Sequence, residues 1–330
     1  LNPIASPTHL TSLLARAREV HPGSGLRIWG RRFRFVAVGL RTRDALSAML
    51  SQPDFLHFAE TLNEDPGKLA FLEWPYIHKD WPPLKRFDVM SRHDQLLQSR
   101  LKSIRLPEGG QLVVADLQAA SPNLRLVLDR ASWFVREGSL VFNLFQADVR
   151  LMSIAFSLEE SPGRPPVAYV GCIQGSNSDS ALDTFRDLTK DLHGLRPRDF
   201  LIKAFQRFAG ACGMQHILCI ADANRQHRAD FFGGKKEAVL HLDYDPIWLE
   251  QGGVADASGF FLLGCEPQSK PLEEIASKKR AMYRRRYALL DDLGAQFSEV
   301  LGKGQLTPRP PAALEENGAT PDDQATRPAP

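Results

Sequence analysis

Cysteine is scarce in this 330-residue chain: there are four, at 172, 212, 219 and 265, and no two stand in a C-x-x-C spacing. That pattern excludes a disulfide framework and leads us to expect reduced thiols in a cytoplasmic compartment. Long apolar runs are also missing. Nothing approaches the roughly 20 residues needed to span a bilayer. No stretch in the first 50 residues, which start at Leu1, has the charged, apolar, small-residue order of a signal peptide. The signatures G-x-G-x-x-G, G-x-x-x-x-G-K-[ST], G-x-S-x-G and H-E-x-x-H do not occur. The motif case for a dinucleotide fold, a P-loop, a nucleophile elbow or a zincin is therefore absent. Excess charge is lacking too: 41 Lys and Arg against 39 Asp and Glu leave a net charge of +2, so any basic partner surface is local.

What is present reads as a globular α/β protein, with 43% hydrophobic and 24% charged residues. Residues 1–105 read as a helical N-terminal region. It includes "PTHLTSLLARARE", "TRDALSAMLS" and "HDQLLQSRLKSI", with "EWPYIHKDWPPLKRFD" as a Pro- and aromatic-rich connector. Residues 106–302 read as an α/β core. Within it, "QLVVADLQA", "NLRLVLDRA", "SLVFNLFQA", "RLMSIAFSLEE" and "PVAYVGCIQG" alternate as strands. Turn signals such as Ser121-Pro122-Asn123 and Pro162-Gly163 separate them, and spacing this short means an antiparallel meander. Two helices follow, "SALDTFRDLTKDLHG" and "RPRDFLIKAFQRFAGACG", and then the strand "HILCIAD", which makes a β-α-β crossover. "EAVLHLDYDPIWLE" and "GFFLLGCEP" read as further strands, and a long helix begins at "PLEEIASKKR". Residues 303–330, rich in Pro, Ala and polar residues, read as a disordered tail.

The stretch "LHGLRPRDFLIKAFQ" is the sharpest chemical signal. Gly194 turns the chain, Pro197 suits a first helical position, and Arg196 and Arg198 flank the exposed N–H groups of a helix start. A diphosphate would fit there. Candidates for proton transfer are His193, Asp222, His227, Tyr244 and Glu250. A backbone N–H on "VAYVGCIQG" could donate to an oxyanion. In "HLDYD", His241, Asp243 and Asp245 share one face of a strand. No later histidine completes a metal triad, and no metal is expected. "CGMQHILC" reads as core.

"SKKRAMYRRRYALLDDL" packs six Lys and Arg between Lys278 and Arg286; without them the net charge would be −4. Positions 280, 283, 284, 287 and 290 form one stripe. Tyr283 and Tyr287 are therefore expected to pack inward and Arg280 and Arg284 to line a pocket edge. Lys278, Lys279, Arg285 and Arg286 are expected to be solvated. Flanking carboxylates blunt the patch as a nucleic-acid surface and no reading motif accompanies it, so nucleic acid is not the expected partner. A phosphate-rich ligand or an anionic lipid surface suits it better.

"LTKDLHGLRPRDFLIKAFQRFA", "YDPIWLEQGG", "SKKRAMYRRRYALLDDL", "VREGSLVFNLF" and "RLMSIAFSL" together resemble the VirK/YbjX family of Gram-negative bacteria, over roughly residues 50–295. The resemblance implies links to virulence and to the envelope. The succession of meander, strand, Gly/Arg loop, helix and three further strands is similar to the GNAT acyltransferases. From that second resemblance follow a GNAT-like core and an acyltransferase-like activity with acyl-CoA, or a related phosphate-bearing donor, and an amine acceptor. Gly194, Arg196, Arg198, Arg280 and Arg284 would bind the donor, and His193, Tyr244 and Glu250 would move protons. The alternative is a non-enzymatic, envelope-associated protein that is cytoplasmic or peripheral to the inner membrane and binds anionic surfaces through residues 278–286.

Overall fold

Alternation and tight turns build the sheet. The computed structural model describes residues 10–175, 181–232 and 242–302. Strands β1 (Gln111–Asp116), β2 (Leu124–Asp129), β3 (Leu140–Gln146), β4 (Val149–Glu159) and β5 (Val167–Gly175) pair antiparallel in sequence order, as the meander predicts. Helices α5 (Ala181–Asp191) and α6 (Pro197–Ala211) then carry the chain over to β6 (His216–Ile220), which pairs parallel to β5. With β7 (Val254–Ala255) and β8 (Phe260–Gly264) the sheet has eight strands in the order β1-β2-β3-β4-β5-β6-β8-β7. Apolar residues on one face bury against α6 and α8 (Ser277–Gly302). The rings of Phe142 and Phe156 meet Phe205 and Phe208, and Phe297 closes the pile at 5.4 Å from Phe208. Aromatic pairs at such spacing add to the gain from burial.

A helical N-terminal region precedes the sheet, as expected: α1 (Leu10–Val20), α2 (Leu26–Leu50), α3 (Leu56–Glu64) and α4 (Pro83–Ser99). Arg86 on α4 is buried and binds three stretches by their carbonyls, donating to Trp81 O and Trp74 O at 2.8 Å each and to Phe71 O at 3.1 Å. Burial lowers its pKa to about 10. One contiguous apolar cluster runs from Leu13 to Phe297.

Several local expectations are corrected. "DPIWLE" is not a strand but helix α7 (Asp245–Glu250). Pro246 cannot donate to a ladder and suits a helix's first turn, and Asp243 Oδ1 accepts the Asp245 amide at 3.1 Å. Asp243 and Asp245 therefore do not share a strand face, and His241 lies outside the described residues, as does the whole expected tail. The aromatic connector turns into α4 at Pro83, and α4 ends at Ser99 rather than running through "RLKSI". Helix α8 begins at Ser277 instead of Pro271, because Arg280 Nε donates to Ile275 O at 2.9 Å and holds a separate turn at Leu272–Glu274. The first half of α2 lies within the region expected to be helical, although no separate helix was assigned to residues 26–41.

Candidate functional site

The parallel pair β5–β6 stays in register only over Val167–Val170 against His216–Cys219, while β5 continues to Gly175. The strands therefore part at their C-terminal ends. A bulge marks the parting: Ala155 of β4 faces Cys172 but Phe156 faces Val170, which leaves Gly171 extra. A Cβ on Gly171 would collide with the backbone oxygen of Glu137, so only glycine allows that approach.

Two side chains from the α7 segment fill the gap. Tyr244 Oη accepts the Ile173 amide at 3.2 Å and donates to Cys172 Sγ at 3.4 Å, and Trp248 Nε1 donates to Ile220 O at 2.9 Å. Burial pushes the Tyr244 phenol well above its usual value and the Cys172 thiol up to about 12, so both stay protonated at neutral pH. The Arg225 guanidinium lies 3.9 Å from the Tyr244 ring centre. Arg225 also pairs with Asp222 at 3.1 Å, and Arg228 binds the same carboxylate. Burial alone would raise the Asp222 pKa, but the hydrogen bonds from Arg228 and Arg225 outweigh it and hold the carboxyl below its usual range.

The expected loop sits at this same end. His193 and Gly194 both take left-handed backbone, with φ of 55° and 81°, and close α5. The Gly194 amide reaches back to Thr189 O at 2.7 Å. Arg196 caps α6 without a side-chain bond. Arg198 Nη2 donates to Glu250 Oε2 at 2.8 Å, and Arg196 lies 3.7 Å from the other oxygen. His193, Gly194, Arg196, Arg198 and Glu250 are thus brought together, and α7 connects them to Tyr244. Burial, then Arg285 and Arg286, lower the His193 pKa.

Arg280 and Arg284 do not join this group. Arg280 is bound to the Ile275 carbonyl, and Arg284 is exposed. The cation that docks is Arg286, expected to be solvated but in fact half-buried. It donates to His193 O at 2.9 and 3.3 Å and stacks on Tyr283 at 4.1 Å. Tyr283 and Tyr287 are half-buried rather than interior. Tyr287 Oη reaches the Lys270 carbonyl at 2.7 Å.

Sequence reasoning missed Glu137. It is buried beside the bulge, where its Oε1 accepts Gln226 Nε2 at 2.9 Å and lies 3.2 Å from His227 Nε2. Of this pair only His227 stands among the proton-transfer candidates, because Glu137 falls in the turn signal Glu137-Gly138-Ser139. Also missed was a cavity of about 1010 Å³ between the N-terminal helices and the β2–β3 connection. Its wall includes Phe71, Trp74, Met90 and Leu140, with Tyr76, His93, Arg130 and Ser139 as polar groups. Tyr76 Oη bonds the hydroxyls of Ser139 and Ser157 at 2.7 and 2.6 Å. His93 Nδ1 accepts the Leu158 amide at 3.1 Å, and burial drives its pKa down to about 4, so the neutral ring carries its proton on Nε2. No group of His, Cys, Asp and Glu that could hold a metal occurs among the described residues.

Comparison with known proteins gives relatives but no activity. A family model described as a protein of unknown function (DUF535) matches residues 24–299. The uncharacterized protein YbjX of Escherichia coli is 33% identical over 152 residues, 46% of each chain. Two uncharacterized proteins of Haemophilus influenzae are 35% identical over 133 residues (40% of this chain, 43% of the relative) and 30% identical over 136 residues (41% and 45%). The matches span somewhat under half the length of these curated relatives. No solved structure matches.

Proposed function

The chain belongs to the DUF535 family, and from that premise, which brings no activity with it, we propose an acyltransferase that moves an acyl group from a phosphate-bearing thioester, such as acyl-CoA, to an amine. The observation that carries the reading is the parting of β5 from β6 beside the α6 N-terminus, with cations and proton-moving groups gathered at the same end.

In this reading the donor's diphosphate takes the first amides of α6 together with Arg196, Arg198 and Arg286. Glu250 holds two of these arginines meanwhile. Exposed pairs of this kind contribute about 0–1 kcal/mol, so an incoming diphosphate can displace the carboxylate. The thioester carbonyl would lie against the Ile173 N–H, which Tyr244 now satisfies. The amine lone pair attacks the carbonyl carbon; the C–N bond forms and the C–S bond breaks. The amine's proton passes to the His227–Glu137 pair. The leaving thiolate takes a proton from Tyr244, whose phenol burial keeps neutral. His193 serves through its carbonyl, which anchors Arg286. The cavity behind residues 135–139 has the volume for an acceptor, at the upper end of the roughly 300–1,000 Å³ usual for ligand pockets.

The test is a melting-temperature screen with CoA and acyl-CoAs, followed by thiol release across a panel of amines. CoA should raise the melting temperature, and replacing Arg196 and Arg198 together by Ala should abolish the rise. Tyr244→Phe should slow thiol release by about 100-fold or more while leaving the CoA shift in place. No shift with any phosphate-bearing thioester would end this reading. The alternative, an anionic-surface binder acting through residues 278–286, retains exposed Lys278, Lys279, Arg284 and Arg285. It predicts salt-sensitive vesicle binding that Arg285→Glu weakens.

A further inference from the structure

Helix α2 carries two separate apolar stripes, about 120° apart around its axis at 3.6 residues per turn. One side carries Phe35, Gly39, Leu46 and Leu50, all buried in the core. The other carries Leu26, Trp29, Phe33 and Leu40, spaced by three, four and seven residues and therefore in one line along the helix. These four are exposed: Leu26 to 93%, Phe33 to 77%, Trp29 to 60% and Leu40 to 41%. A globular protein normally hides a second stripe of this kind, and a contiguous row of large apolar side chains marks an interaction surface.

The polar positions beside the stripe identify its partner. Arg27, Arg34 and Arg41 recur every seven residues along one side of it, and Arg32 and Arg43 stand on the other. No Asp or Glu occurs between Glu19 and Asp44. Some of these cations are used internally: Arg34 binds Glu73 at 2.5 Å, Arg32 binds the His21 carbonyl at 2.8 Å, and Arg43 pairs with Asp44 at 3.0 Å. Arg27, Arg31 and Arg41 are exposed, and among the described residues no carboxylate pairs with them. A tryptophan, a phenylalanine and leucines flanked by arginine, on a helix lying across the surface, match what an interfacial helix presents to a lipid headgroup layer. The rings enter the acyl boundary and the guanidinium groups meet phosphates. The exposed cations Arg27 and Arg41 stand along one flank with no acid between Glu19 and Asp44, which complements an anionic bilayer.

We propose that the Leu26–Leu40 face of α2 docks the protein onto an anionic membrane surface, with Trp29 and Phe33 as the inserted anchors and Arg27 and Arg41 as phosphate contacts. The docking is peripheral, since no helix among the described residues is long and apolar enough to cross a membrane. It stands apart from acyl transfer, which uses the other side of the chain's sequence and a different set of arginines.

Co-sedimentation of the full chain with phosphatidylcholine vesicles, with and without phosphatidylglycerol, tests it. The protein should pellet at least tenfold more strongly with the anionic vesicles, and raising the salt should release it. Phe33→Asp and Leu26→Asp should each abolish pelleting without changing the melting temperature, while Arg285→Glu on α8 should leave pelleting intact. A chain that stays in the supernatant with every vesicle overturns the proposal. So does a Phe33→Asp variant that pellets like the parent, or a loss confined to Arg285→Glu. If analytical centrifugation shows a dimer that Phe33→Asp dissociates, and vesicles do not compete with it, the stripe is an interface between two copies and the proposal falls.

Discussion

The helices before the sheet and those after its fifth strand share one apolar core but differ in the buried polar groups that accompany the packing. Helices α6 and α8 sit on a pile of phenylalanines, Phe142, Phe156, Phe205, Phe208 and Phe297, and their bordering charges end on carbonyls or exposed pairs. The N-terminal helices border a cavity of about 1010 Å³ and carry buried polar ties: Arg86 binds four carbonyls within the N-terminal region, and His93 accepts the Leu158 amide of β4. Burial of apolar area hardly depends on pH or ligands, whereas buried polar groups do. The N-terminal side should therefore be the conditional half of the molecule.

The largest effect should come from the aromatic pile. Phe208→Ala or Phe297→Ala removes a fully buried ring and should cost about 3–5 kcal/mol in denaturant melts. A cost near zero would mean that α8 does not bear on the sheet as described.

Acid should separate the two halves next. His93 binds its proton at about 4 when folded, against 6.5 for a free histidine, so the unfolded chain holds more protons between those values. Stability is therefore full above pH 6.5 and falls as the pH drops toward 4, by a total on the order of 3 kcal/mol from this group. His93→Gln should be less stable at pH 7 but should flatten the slope between pH 6.5 and 4. An unchanged slope would place the conditional element elsewhere.

Smaller effects belong to the docked arm of α8. Arg286→Ala loses both bonds to His193 O, and Tyr287→Ala loses a half-buried ring with its bond to Lys270 O; each should cost about 1–2 kcal/mol. Least of all should be Lys279→Ala and Arg285→Ala, at about 0.5 kcal/mol or below. If Arg285 mattered as much as Arg286, the two arginines would share the docking now given to one.

Much of the sheet was legible because its signals are local. Alternation, Ser121-Pro122-Asn123 and Pro162-Gly163 set the meander, and Gly194 and Pro197 set the crossover's inner turn. Helix α2 was not separately legible in its first half, because its two apolar stripes blur the 3.6-residue period. "DPIWLE" reads as extended from its apolar residues, whereas Pro246 starts a helix there. The candidate site divides the same way. Gly194, Arg196 and Arg198 follow from a helix-start pattern and His193 and Glu250 from their proton-transfer chemistry, and folding puts all five at one end. Arg286, Glu137 and the cavity depend on contacts across long separations, such as Arg286 to His193 and Gln226 to Glu137, and no local pattern encodes those.

A structure of the protein with acyl-CoA bound tests the central claim most directly. The account predicts the diphosphate at the first amides of α6 with Arg198 and Arg286 in hydrogen-bonding range, Glu250 displaced, and the thioester between the parted ends of β5 and β6 against the Ile173 amide. Acyl-CoA bound elsewhere, with Glu250 still on Arg198 and Tyr244 still on Ile173, would contradict it.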